Sequence, residues 1–176
     1  MIPEHAESLY SRFERENIPL LLAGGWAVCH HGYARFTRDI DWVCSRVHEA
    51  RACSLMQEMG FEKMTDGMAS RFVRAGSPGF PPVDLIWVDE GTFSQMGASD
   101  SMTGRHGDIP VITFRSLLAM KFYALKDDAV RQGRDMLDIR QLLGSVSHGM
   151  SKEDIRLLCE KYAGPSVFEN EIERYL

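Results

Sequence analysis

Disulfide spacing is the first thing this chain lacks. Its four cysteines, Cys29, Cys44, Cys53 and Cys159, form no C-x-x-C pair, and 176 residues can bury a core without covalent staples. Free thiols in a reducing compartment are expected. No apolar run approaches the length of a membrane span. The opening stretch MIPEHAESLYSRFEREN has no basic segment followed by an apolar one, which points to a cytoplasmic protein without a membrane partner. A basic surplus is missing too: 20 Lys and Arg face 25 Asp and Glu, a net charge of -5. That balance argues against a broad nucleic-acid surface and leaves only a local groove open. No repeat or low-complexity segment is present. With 44% hydrophobic and 26% charged residues, the composition is that of an ordinary globular domain.

Periodicity divides the chain into two halves. Leu9 and Phe13, four apart among charges, predict an amphipathic helix over residues 4–16. IPLLLAG reads as a buried strand ended by glycine, and the residues from Trp26 to His31 as a short helix closed by Gly32. DIDWVC reads as a second strand, and the residues from Val47 to Met59 as a helix stopped by Gly60. SRFVRAG and PVDLIWVDE read as further strands across the turn GSPGFPP. After IPVITF no strand-like run recurs. SLLAMKFYALK, RDMLDIRQLLG, SKEDIRLLCEKYAG and SVFENEIERYL all read as helices, with a capping pattern at Ser151 and a full capping box at Ser166. The expected class is α+β, with an α/β half over residues 1–112 and a helical region over 113–176.

Three carboxylates stand out against this background. Alternate residues of a strand share a face, so Asp39 and Asp41 project together while Ile40 and Trp42 turn into the core. Two like charges so placed repel and call for a positive partner. An all-oxygen set with no matched His or Cys favours Mg²⁺ or Mn²⁺ over zinc. Asp84 is a third acid, alone between Val83 and Leu85 on a later strand. If the two strands are neighbours, Asp39, Asp41 and Asp84 converge and could hold two metal ions. The competing reading is an edge-strand pair neutralised by Arg35, Arg38 or Arg46. Asp89 has the opposite parity and reads as a solvated strand end.

Gly24 and Gly25, between a strand and a helix, expose backbone N–H groups that a phosphate can approach. Arg35 and Thr37 lie just upstream of the acids. The stretch GGWAVCHHGYARFTRDIDWV resembles the signature of the nucleotidyltransferase superfamily typified by DNA polymerase beta. Within it, the chain is most similar to the minimal bacterial branch of AbiEii toxin-like proteins and aminoglycoside and lincosamide nucleotidyltransferases. Gly24, Gly25, Arg35, Thr37, Asp39, Asp41 and Asp84 supply the shared pattern. In the helical half, Lys121 followed by Arg134, Asp135 and Asp138 resembles the AbiEii-like Lys and Arg-x-x-Asp pattern, although R-D-x-x-D at helical spacing also suits surface pairs. Many members of the superfamily carry Gly-Ser where this chain has Gly24-Gly25.

The resemblance implies a small mixed sheet with flanking helices, Mg²⁺ or Mn²⁺ as cofactor and a nucleoside triphosphate as co-substrate. It implies that Asp39 and Asp41 bind both ions and Asp84 the one nearer the acceptor, with Asp84 as general base. Gly24, Gly25, Arg35, Thr37 and Lys121 would hold the nucleotide. The implied reaction is AbiEii-like transfer of a nucleoside monophosphate to a hydroxyl of tRNA, a small antibiotic or a protein, and a cognate antitoxin is an implied partner. The alternatives are an antibiotic nucleotidyltransferase, a non-catalytic nucleotide-binding member and a hydrolase using the same acids. Cys29-His30-His31 with Cys44 does not make a zinc set, because adjacent helical residues point apart. His106, in TGRHGD, reads as part of an exposed loop.

Overall fold

Alternating burial builds the central sheet. The computed structural model describes residues 4–77, 79–97, 105–106, 109–126, 129–145 and 148–176. Helix α1 (Glu4–Arg15) buries Ala6, Leu9 and Phe13, and leads into β1 (Leu20–Leu22) and the short α2 (Gly24–His30). Strand β2 (Ile40–Ser45) is followed by one 3₁₀ turn and α3 (Glu49–Glu58), then β3 (Phe61–Lys63), β4 (Ala69–Arg74) and β5 (Val83–Val88). The sheet order is β1-β2-β5-β4-β3. Only β2 and β5 run parallel; the other three pairings are antiparallel. A parallel pair needs a crossover, and α3 with the β3–β4 hairpin supplies it.

One face of β2 and β5 carries Ile40, Trp42, Val83, Leu85 and Trp87 into the core, where each is at most 4% exposed. Burial of each such side chain contributes roughly 1.5–3 kcal/mol. Their alternates, Asp41, Asp84 and Ile86, lie on the other face and are partly buried.

Beyond β5 come α4 (Glu90–Gly97), the two-residue strands β6 (Arg105–His106) and β7 (Ile109–Pro110), and α5 (Phe114–Ala124). Val111 bridges Leu22, and the Ile112 N–H donates to the Leu22 carbonyl at 3.0 Å, so the chain rejoins the sheet beside β1 before turning helical. Helices α6 (Ala129–Ser145) and α7 (Lys152–Tyr162) then each pack on α5, with Leu117, Leu118, Phe122, Ile139, Leu142, Ile155 and Cys159 buried. No helix among the described residues is long and apolar enough to cross a membrane, and the four cysteines are free.

Several local readings change. Strand β3 and helix α4 have no counterpart in the periodicity, because β3 is three residues long and α4 carries a glycine near each end. IPVITF is mostly not strand: only Ile109–Pro110 and the Val111 bridge pair. His106 belongs to the β6–β7 pair rather than to an open loop. The Ser151 pattern forms a reciprocal capping box with Asp154, an arrangement worth about 1 kcal/mol. The Ser166 box does not form: Ser166 lies inside a single turn, Pro165–Val167 (α8), entered from Gly164 at φ 110°, and the chain beyond continues as a π and then a 3₁₀ turn.

Candidate active site

The β2–β5 register sets the centre of the site. Asp41 lies directly opposite Asp84, and Asp39 precedes β2 with the same parity as Asp41. One carboxylate oxygen from each of Asp39, Asp41 and Asp84 can be chosen so that all three lie within 4.8 Å of one another. Burial, then the charges of Asp39 and Asp84, push the Asp41 carboxyl up to about 7. Lys121 and the Gly25 N–H, which donates to Asp41, only partly offset this rise. Three hard oxygen donors converging with only partly offset negative charge fit a divalent cation such as Mg²⁺.

The loop before β2 is pinned around these acids. The Thr37 hydroxyl donates to Asp39 Oδ1 at 3.2 Å, the Trp26 indole N–H to the Asp39 carbonyl at 3.1 Å, and the Ala23 N–H to the Asp41 carbonyl at 2.9 Å. Gly24 sits at φ 54°, where a Cβ would lie 1.8 Å from Asp41 Oδ2; a Cβ on Gly25 would lie 2.4 Å from Thr37 Oγ1. The glycines therefore let Asp41 and Thr37 rest directly on bare backbone. They front a cavity of about 430 Å³, lined on the opposite wall by Leu117, Met120, Lys121 and Arg134 from α5 and α6. That volume is in the usual range for a small-ligand site.

A second charged cluster forms that wall. Arg35 grips Asp138 in a fork, Nε to Oδ1 at 2.6 Å and Nη2 to Oδ2 at 2.8 Å. Lys121 Nζ reaches Asp138 at 2.7 Å and Asp135 at 2.5 Å. Asp138 is fully buried, so Asp135 and Asp138 are not the surface pairs that their helical spacing allows. They tie the helical half to the loop that carries Arg35.

The cation beside the triad is none of the three arginines weighed from the sequence. Arg35 pairs with Asp138, Arg46 with Glu49, and Arg38 is exposed. Arg71 on β4 takes the place: its Nη1 donates to Asp84 Oδ2 at 3.0 Å, and Nη2 lies 3.9 Å from Asp39 Oδ2. Counting back through the GSPGFPP turn pairs Phe72 with Val83 and hence Arg71 with Asp84; that register was the signal for it. Asp89 is exposed and accepts from the Thr92 N–H and hydroxyl, which caps α4. Cys29 donates to the Arg35 carbonyl, an arrangement foreign to a zinc site.

A mixed sheet with Asp-x-Asp on one strand, a third aspartate on its parallel neighbour and a Gly-Gly helix start defines a nucleotidyltransferase fold. Within that class, the chain belongs to the aminoglycoside-2''-adenylyltransferase family, whose sequence model matches residues 6–109. The fold is similar to that of ANT(2'')-Ia in complex with adenylyl-2''-tobramycin (TM-score 0.66, 13% identity, 89% of this chain and 94% of that one). It is also similar to the lincomycin-bound lincosamide antibiotic adenylyltransferase LnuA (TM-score 0.53, 16% identity, 81% and 96%). An antigenic nucleotidyltransferase-like protein from Paracoccidioides brasiliensis shares the fold too (TM-score 0.52, 17% identity, 96% and 88%). Among curated proteins none matches the chain in sequence.

Proposed function

We propose that this protein transfers a nucleoside monophosphate, adenylate first among them, from a triphosphate to a hydroxyl of a small-molecule acceptor. The observation that carries the reading is the convergence of Asp39, Asp41 and Asp84 beside the bare backbone of Gly24 and Gly25. Family membership supports the antibiotic-modifying branch over the AbiEii-like one.

Asp39 and Asp41 would hold divalent cation against the nucleotide, and Asp84 would join them on the acceptor side. When bound, the metal neutralises charge on the phosphates and makes the acceptor hydroxyl more acidic. The acceptor oxygen bonds to the α-phosphorus while the bond to the β-phosphate oxygen breaks, and pyrophosphate leaves. Asp84 takes the hydroxyl proton. Thr37 and Trp26 hold Asp39 in place. Gly24 and Gly25 let Asp41 and Thr37 sit against the backbone at the cavity's edge, and Lys121, Arg35 and Arg134 place positive charge on the facing wall. In this reading the chain divides near residue 112, with the acids on the sheet half and Lys121 on the helical half.

The test is label transfer from α-³²P-ATP with Mg²⁺ to aminoglycosides, lincosamides, tRNA and cell protein, with Asp41→Asn as control. Label on a small molecule that vanishes in the variant supports the proposal. Label on tRNA or protein moves the enzyme to the toxin-like branch. Free mononucleotide without a labelled acceptor indicates a hydrolase, and Mg²⁺-dependent nucleotide binding without pyrophosphate release a non-catalytic member.

A further inference from the structure

The triad has two sides. Sheet order places Asp84 between Asp41 on β2 and Arg71 on β4. The Gly24–Gly25 backbone and the α5–α6 wall front the cavity, whereas Arg71 lies across Asp84 from Asp41. Its guanidinium donates to Asp84 at 3.0 Å and reaches toward Asp39 at 3.9 Å. It therefore spans two of the three carboxylates suited to a cation.

Resting on the reading of the triad as a metal site, we infer that Arg71 is a built-in counter-cation that must release Asp84 before Asp84 can hold a metal. Arg71 thereby sets the affinity of the Asp84-dependent cation site. The backbone of Arg71 is fixed in the sheet: its N–H donates to Thr65 Oγ1 at 3.1 Å and its carbonyl accepts from the Met64 N–H at 2.7 Å. Its side chain is not so fixed. It is 36% exposed, and the partners of its guanidinium among the described residues are Asp84 and, at longer range, Asp39. Arg35 provides the contrast, with a side chain 14% exposed and forked onto the fully buried Asp138. Of the two arginines, one is built to stay and one to yield.

The geometry also gives an order of events. Arg71 hydrogen-bonds Asp84 at 3.0 Å and only approaches Asp39 at 3.9 Å, so the acceptor side of the triad is the one that opens as Arg71 leaves. Displaced, Arg71 stays tethered on β4 next to the position where the acceptor must approach Asp84. Arg71 is thus a positioning residue that acts through Asp84.

Binding of Mn²⁺ alone, followed through the electron-spin resonance of the free ion, tests this in the wild type, Arg71→Gln, Arg71→Met, Arg71→Lys, Asp84→Asn and Asp41→Asn. Removing a cation at hydrogen-bond distance from a ligand oxygen should tighten the Asp84-dependent site about tenfold or more in Arg71→Gln and Arg71→Met. Arg71→Lys, which keeps the charge, should stay within about threefold of wild type. A merely structural arginine would change melting temperature in all three variants without this split by charge. Unchanged Mn²⁺ affinity in the neutral variants, with binding still lost in Asp41→Asn, overturns the role of Arg71 and leaves the metal site intact. Binding that survives Asp41→Asn overturns the metal reading itself. The wild type offers a check that needs no neutral variant to fold: the Arg71 Nε–H resonance, identified by its loss in Arg71→Lys, should shift on adding Mg²⁺. A static resonance contradicts the proposal.

Discussion

Two charged clusters lie within one cavity, and their charge balance differs. On the helical wall, two cations meet two carboxylates: Arg35 and Lys121 are both held by Asp138, and Lys121 also by Asp135. On the sheet, three carboxylates meet one half-exposed arginine. The balanced cluster can be buried and serve as a joint between the two halves. In the unbalanced one, burial and then the charges of Asp39 and Asp84 push Asp41 up to about 7, an electrostatic demand that a bound cation would answer. The balanced cluster holds the halves together while its cations still line the cavity, and the unbalanced one is the part suited to a bound cation.

The sharpest way to break this contrast is to remove one acid from each cluster. Asp41→Asn should lower nucleotidyl transfer by about three orders of magnitude or more, yet leave the metal-free fold as stable as wild type or more so, because it relieves repulsion. Asp138→Asn should do the reverse to the fold and cost about 3–5 kcal/mol, since it takes the carboxylate from the largely buried Arg35 and leaves Lys121 with Asp135 alone. Urea denaturation of both variants in EDTA separates the cases. Equal destabilisation would erase the distinction.

Next in size is Gly24→Ala, which asks for a Cβ at φ 54° and 1.8 Å from Asp41 Oδ2. A loss of about 1–3 kcal/mol in stability is expected from the strained backbone, together with lost metal binding; calorimetry with and without Mn²⁺ measures both.

A smaller effect tests the contact that ties the end of α2 to the chain just before α5. Buried His31 lies 2.8 Å from the Ile112 carbonyl through Nε2, and burial lowers its pKa below the usual 6.5 although the carbonyl opposes this. The unfolded chain thus takes up the proton first. The stability His31 contributes is present above pH 6.5 and is lost as pH falls below it. His31→Gln should flatten that decline between pH 7 and 5 in denaturation midpoints.

The sequence made the sheet half legible because alternation and glycine act over short range. Ile40 and Trp42 inward with Asp39 and Asp41 outward needs only the strand period, and Asp84 follows from the same rule. What stayed hidden depends on register and tertiary pairing. Arg71 becomes visible only when β4 is aligned on β5, and Asp138 looks like a surface residue until α6 is laid against the Arg35 loop. The Ser166 pattern misled for a related reason: Pro165 and Gly164 start the turn before the serine can cap it.

The central claim is that the sheet acids are a cation site by virtue of their imbalance. Thermal unfolding of wild type and Asp41→Asn at pH 8, each with EDTA and with saturating Mn²⁺, tests it most directly. The account predicts that Mn²⁺ raises the wild-type melting temperature by several degrees and leaves Asp41→Asn unmoved, with the variant at or above wild type in EDTA. A variant that melts well below wild type in EDTA, or gains as much from Mn²⁺, would contradict it.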